Sequence, residues 1–117
     1  MHPIQYTELY SAALTANGET TLANRRTNQD GILSSTEEPV RVTRLYCHLS
    51  TVTSGYVELL IDGRSVSTID LRMAHNNYEG LELDIPIPVG SKLQVIVIEE
   101  SGNTPECGVT LQLRPAR

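Results

Sequence analysis

The side chains that could do chemistry are few, and their spacing argues against most of the reactions they would serve. Glu82 and Asp84 lie two residues apart in Leu81-Glu82-Leu83-Asp84-Ile85. On an extended strand both carboxylates therefore share a face, as an acid–base pair acting on a sugar would need. The same alternation makes that face the solvated side of an amphipathic strand, which is the stronger reading. Ser65 sits in Gly63-Arg64-Ser65-Val66-Ser67, without the second glycine of a Gly-x-Ser-x-Gly elbow, so the segment reads as one limb of a hairpin. Cys47 and His48 are adjacent; on a strand they point to opposite faces and cannot converge on one metal ion. His48 then reads as a buried, packed histidine. Cys47 and Cys107 could close a disulfide contributing roughly 4 kcal/mol, but two buried free thiols are favoured in a chain without an export signal. Glu99-Glu100 reads as charge placed at a strand end to discourage edge pairing. The expectation is a protein that is not an enzyme, with no catalytic residue, cofactor or metal ligand.

Charge and composition narrow the partners. The 117 residues carry a formal net charge of −5, whereas a nucleic-acid surface needs a basic stripe with stacking aromatics. Nucleic acid is therefore not expected as a partner. Nor is a membrane, since no segment approaches the roughly 20 apolar residues of a span. The start, Met1-His2-Pro3-Ile4, has no charged leader or apolar run, which predicts synthesis in a cytosol. Lys92 is the one lysine, against arginines at 25, 26, 41, 44, 64, 72, 114 and 117. Arginine is the cation favoured in protein contacts, because its planar fork pairs bidentately and sheds water more readily.

The elements that must position these residues are strands. There are five Tyr, no Phe and no Trp, so the core falls to Leu, Val and Ile, which suit a pleated, half-buried surface. Tyr6 to Leu14 reads as a first strand. Asn17-Gly18 marks a hairpin turn, with Glu19 to Ala23 pairing back. The polar stretches Asn24 to Asp30 and Ser34 to Pro39 read as exposed loops around the island Gly31-Ile32-Leu33. In Val40 to Ser50 the apolar phase slips near Thr43-Arg44, from Val40 and Val42 to Leu45, Cys47 and Leu49, which predicts a β-bulge or a change of environment. Tyr56 to Ile61 turns at Asp62-Gly63 into Arg64 to Leu71, the clearest hairpin. Arg72 to Gly80 reads as a polar crossing. In Leu81 to Ile87 the apolar residues alternate with Glu82 and Asp84, and Pro86 and Pro88 predict an edge position. Lys92 to Glu100 turns Leu93, Val95 and Val97 one way and Ile96 and Ile98 the other, so both of its faces are apolar. Cys107, Val109, Leu111 and Leu113 close the chain.

The pattern predicts an all-β fold: one antiparallel β-sandwich over residues 1–117, jelly-roll-like, with about eight strands. Residues 1–10 are either a first strand or an N-terminal docking arm. The C-terminal half, in LELDIPIPVGSKLQVIVI from Leu81 to Ile98, resembles the capsid decoration (cement) and related virion proteins of tailed bacteriophages in hydrophobic pattern and turn wording. That resemblance implies a structural protein of the virion, made in the host cytoplasm, that sits on the capsid surface as a homotrimer. Its partners would be the major capsid protein and its own copies. The residues expected at such an interface are Ile4, Tyr6, Leu9, Tyr10, Arg25, Arg26, Ile96 and Ile98. Sugar-binding jelly rolls share the pattern, so a carbohydrate- or receptor-binding module is the alternative, and a small hydrolase is the third.

Overall fold

A computed structural model describes residues 4–29, 32–33 and 39–115. The first three residues of the expected arm and the polar connection at 34–38 lie outside them. The strands are β1 (Gln5–Ser11), β2 (Glu19–Thr21), β3 (Ala23–Asn24), β4 (Ile32–Leu33), β5 (Val40–Leu49), β6 (Gly55–Ile61), β7 (Arg64–Asp70), β8 (Leu81–Ile87), β9 (Lys92–Glu99) and β10 (Cys107–Pro115), with one helix, α1 (Leu71–His75), between β7 and β8. They form two antiparallel sheets. Sheet A has the order β3-β1-β10-β5-β8; sheet B has the order β2-β9-β6-β7, with β4 also paired to β9. The all-β sandwich expected from the aliphatic composition is the fold. Among the described residues ten strands stand where about eight were expected, because the run after Gly18 divides in two and the Ile32-Leu33 island adds a short strand.

The division of that run departs from a simple hairpin. Glu19–Thr21 pair with β9 in sheet B, while Ala23 and Asn24 pair with Tyr10 and Leu9 of β1 in sheet A. Leu22 sits between them, fully buried, where the chain changes sheets at a corner of the sandwich. Asn17 does adopt a positive φ of 52°, but the turn carries the chain across to the other sheet.

The phase slip in β5 is a bulge at Thr43. Leu113 pairs with Val42 and Gln112 with Arg44, and the pairing with β8 skips the same residue. One extra residue reverses the parity, so Val42, Leu45 and Leu49 all end in the core. The Asp62-Gly63 hairpin is as expected: both residues have positive φ, 50° and 83°, the conformation a two-residue primed turn requires. The crossing at 72–80 holds a helix that the polar composition hides. Asp70 caps it by accepting from the Arg72 and Met73 N–H groups, at 3.0 and 3.1 Å, and Leu71 and Ala74 plug the end of the core.

Leu9, Leu45, Val109 and Leu111 of sheet A meet Val57, Leu59, Leu93, Val95 and Val97 of sheet B, all with no exposed surface. Burying each such side chain contributes roughly 1.5–3 kcal/mol. Gly55 begins β6 at φ 147°, and a Cβ there would lie 1.9 Å from the Ile98 carbonyl oxygen; only glycine lets β6 close on β9 at that point. Leu111→Ala is expected to cost about 2–5 kcal/mol in urea unfolding. Gly55→Ala is expected to cost as much without removing any apolar surface, and a Gly55→Ala protein of unchanged midpoint would contradict this close approach.

Candidate functional site

The outer face of sheet B is built by β9 and its neighbours. Along β9, Leu93, Val95 and Val97 are fully buried and the intervening residues are half-buried, so Ile96 and Ile98 lie on the side away from the core. Tyr56 pairs with Ile98, Glu58 with Ile96 and Leu60 with Gln94. Tyr56 is 41% exposed, and Val66, beside Leu60 at the irregularity in β7, is 46% exposed. Ile98, Ile96, Tyr56, Leu60 and Val66 thus make a largely apolar strip, interrupted by Glu58 opposite Ile96 and Gln94 opposite Leu60 and flanked by Glu19 and Thr21 on β2. Tyr56 and Leu60 were not among the expected interface residues, because the pairing of β6 with β9 is not visible in either segment alone.

The outer face of sheet A is polar and aromatic. Cross-strand register places Tyr6 beside Gln112 and Arg44, Glu8 beside Thr110 and Tyr46, and Tyr10 beside Gly108 and His48. Tyr6 is 59% exposed, and its hydroxyl accepts from Gln112 Nε2 at 2.9 Å. The Tyr10 hydroxyl donates to Glu106, a bond that raises its pKa above the ordinary value. Arg25 lies over the Tyr10 ring, 4.2 Å from its centroid, and pairs with Glu8 at 3.1 Å. The carboxylates of Glu82 and Asp84 do share a face, where they pair with Arg44 at 3.3 Å and Arg41 at 2.9 Å. Such exposed pairs contribute about 0–1 kcal/mol each.

Several expected positions change. Leu9 is fully buried and belongs to the core, because it takes the inward parity of β1; it is not available to a partner. Residues 5–10 are not a free arm, since β1 pairs with β10 along its whole length. Ile4 is 43% exposed just before it. Arg26 is exposed, with its N–H bonded to Asn24 Oδ1. His48 is exposed rather than buried, and its ring centroid lies 6.5 Å from that of His75. Cys47 and Cys107 are free thiols on neighbouring strands, offset by one inward-facing pair. The Cys107 thiol donates to Cys47, and that hydrogen bond, together with burial, pushes the Cys107 pKa up. Among the described residues no three His, Cys, Asp or Glu side chains gather as a metal ion would require, and no helix is long and apolar enough to cross a membrane.

Glu99 is the largest correction. It is 1% exposed, the next inward position after Val97, and not a solubilising edge charge. Its carboxylate accepts from the N–H groups of Asn17 at 2.9 Å, Ser101 at 3.0 Å, Gly102 at 2.8 Å and Asn103 at 3.1 Å, and from the Thr53 hydroxyl. Three loops are thereby tied to one residue at the end of the sandwich. Burial alone pushes a carboxyl pKa up, but these donors outweigh it and bring Glu99 from 4.5 down to about 2.

With both faces in view, known proteins add nothing to the reading. No family model, curated protein or solved structure matches the chain.

A carboxylate whose pKa falls on folding stabilises the native state above its unfolded value and loses that contribution as the proton binds. For Glu99 the window runs from pH 4.5 down to about 2. The melting temperature is expected to fall across that window. Glu99→Gln, which leaves the N–H donors facing an amide, is expected to lower Tm at pH 7 by roughly 5–10 °C and to flatten the acid slope. An unchanged slope in the variant would show that other carboxylates govern acid stability.

Proposed function

We propose that this protein is a structural component of a phage virion that decorates a capsid shell and associates with its own copies, without chemistry of its own. The observation that carries this reading is the apolar strip of Tyr56, Leu60, Ile96, Ile98 and Val66 on the outer face of sheet B. A central strand with apolar residues on both faces calls for cover on both, and among the described residues only the inner face is fully covered, with Ile96 and Ile98 half-buried. The wiring supports the same reading. Without the short β3 and β4, sheet A runs 1-10-5-8 and sheet B runs 2-9-6-7, which is the order of an eight-stranded jelly roll, an architecture common in capsid and lectin domains. We assign the strip to the shell, with the major capsid protein as its partner.

The alternative is a carbohydrate- or receptor-binding module, and the observation favouring it is the gathering of Tyr6, Tyr10 and Tyr46 on the outer face of sheet A. Aromatic rings beside a neutral hydrogen-bonding group such as Thr110 suit sugar rings, although Gln112 is buried and already bonded to Tyr6 and Thr43. Tyr10 is already covered by Arg25, which leaves Tyr6 as the most accessible platform and places this reading second.

The test is mass spectrometry of purified particles from the source culture, with the chain expected in fixed proportion to the shell protein. The double variant Ile96→Ser, Ile98→Ser is expected to stay folded, since both side chains are already partly solvated, and to lose at least tenfold in retention on shells. If the double variant unfolds, these residues are core and the reading fails. A glycan-array signal abolished by Tyr6→Ala, together with absence from particles, would establish the alternative.

A further inference from the structure

Cys47 and Cys107 are the two cysteines of the chain, and the fold sets them side by side. Both are free thiols, on the adjacent strands β5 and β10, and both pack against the core. Register puts Cys107 opposite Leu49 and Val109 opposite Cys47, so the two sulfurs lie on a diagonal and not directly across. The diagonal is a close one. The Ser50 N–H donates to the Glu106 carbonyl, which makes Glu106 and Ser50 a hydrogen-bonded pair. Cys107 with Leu49, and then Val109 with Cys47, are therefore pairs of the non-hydrogen-bonded kind, in which side chains stand nearer to one another. The right-handed twist of the strands shears such side chains together along one diagonal, and here the Cys107 thiol reaches Cys47 to donate a hydrogen bond.

The surroundings of the two sulfurs differ. Cys107 has no exposed surface. Cys47 is half-buried, because β8 pairs with β5 no further than Leu45 and leaves the last residues of β5 with no strand on that side. A small oxidant therefore reaches one sulfur of the pair, with the other in contact behind it. Shell binding through sheet B uses neither thiol.

We propose that Cys47 and Cys107 are a redox pair, free in reducing surroundings and closed to a disulfide that staples β5 to β10 when a hydroperoxide reaches Cys47. The Cys47 sulfur attacks a peroxide oxygen, the O–O bond breaks and water leaves, giving a sulfenic acid. Cys107 then attacks that sulfur and gives up its proton, the S–O bond breaks and a second water leaves. Two thiols and one hydrogen peroxide thus yield one disulfide and two waters. Contact between the sulfurs makes the second step intramolecular, so it outruns further oxidation of Cys47. A diagonal bridge spans farther than one between directly opposite positions, and the strain this places on it keeps it reducible by thiols. The chemistry stands without the assembly reading. That reading adds the occasion, since a virion protein is made in a reducing cytosol and ends on a surface open to oxidants.

The test treats the purified full-length chain with hydrogen peroxide at neutral pH, then unfolds it in an alkylating reagent and measures its mass. Expected is a monomer lighter by two hydrogens, with no thiol left to alkylate, a peptide linking Cys47 to Cys107, and recovery of both thiols in dithiothreitol. Cys107→Ser is expected to stop at a Cys47 sulfenic acid that dimedone traps, whereas Cys47→Ser is expected to leave Cys107 unmodified at the same dose. Both variants are expected to keep the wild-type circular dichroism. A wild-type chain that retains both thiols, carries sulfinic acid at Cys47 beside a free Cys107, joins two copies through cysteine, or forms a bridge that dithiothreitol does not open overturns the proposal. Each of those outcomes leaves the shell-binding reading standing.

Discussion

The alternation of β9 constrains everything else in this molecule. Side chains of a strand leave it on opposite sides in turn, so placing Leu93, Val95 and Val97 in the core forces Ile96 and Ile98 onto the outer surface. A slip of one residue would bury the isoleucines but would expel the valines and Glu99 together. Glu99 makes that slip costly, since its carboxylate is held by donors from three loops. The register that builds the core and the register that exposes the apolar strip are therefore one and the same.

The two faces of the sandwich then divide by chemistry. Sheet A turns out tyrosines, His48, glutamine and ion-paired charges, a surface that solvates well by itself. Sheet B turns out a strip of isoleucine, leucine and tyrosine across its two central strands, β9 and β6, that ends at Val66 near the open edge of β7.

Much of this was legible in the sequence because period-two alternation is a local signal. The Thr43 bulge showed as a phase slip within β5, the Asp62-Gly63 turn as two residues tolerant of positive φ, and the edge position of β8 as its prolines. What stayed hidden depended on pairing between distant segments. The crossing of Glu19–Asn24 from one sheet to the other needs β1 and β9 together, and the contribution of Tyr56 and Leu60 to the strip needs the pairing of β6 with β9. Leu9 was misplaced because the tyrosines around it suggested a docking segment, although its parity within β1 points inward. Glu99 was misread because its charge outweighed the alternation, yet counting two residues on from Val97 places it inside. Helix α1 was hidden by polar composition, its signal being the cap residue Asp70.

Hydroxyl-radical footprinting of the free chain and of the chain on purified shells tests the central claim most directly. Tyr56, Ile96 and Ile98 are expected to label in the free protein and to be shielded on the shell, while Tyr6 on the opposite face labels equally in both states. Isoleucines already shielded in the free chain, or protection confined to Tyr6 and its neighbours on sheet A, would contradict the assignment of sheet B as the working surface.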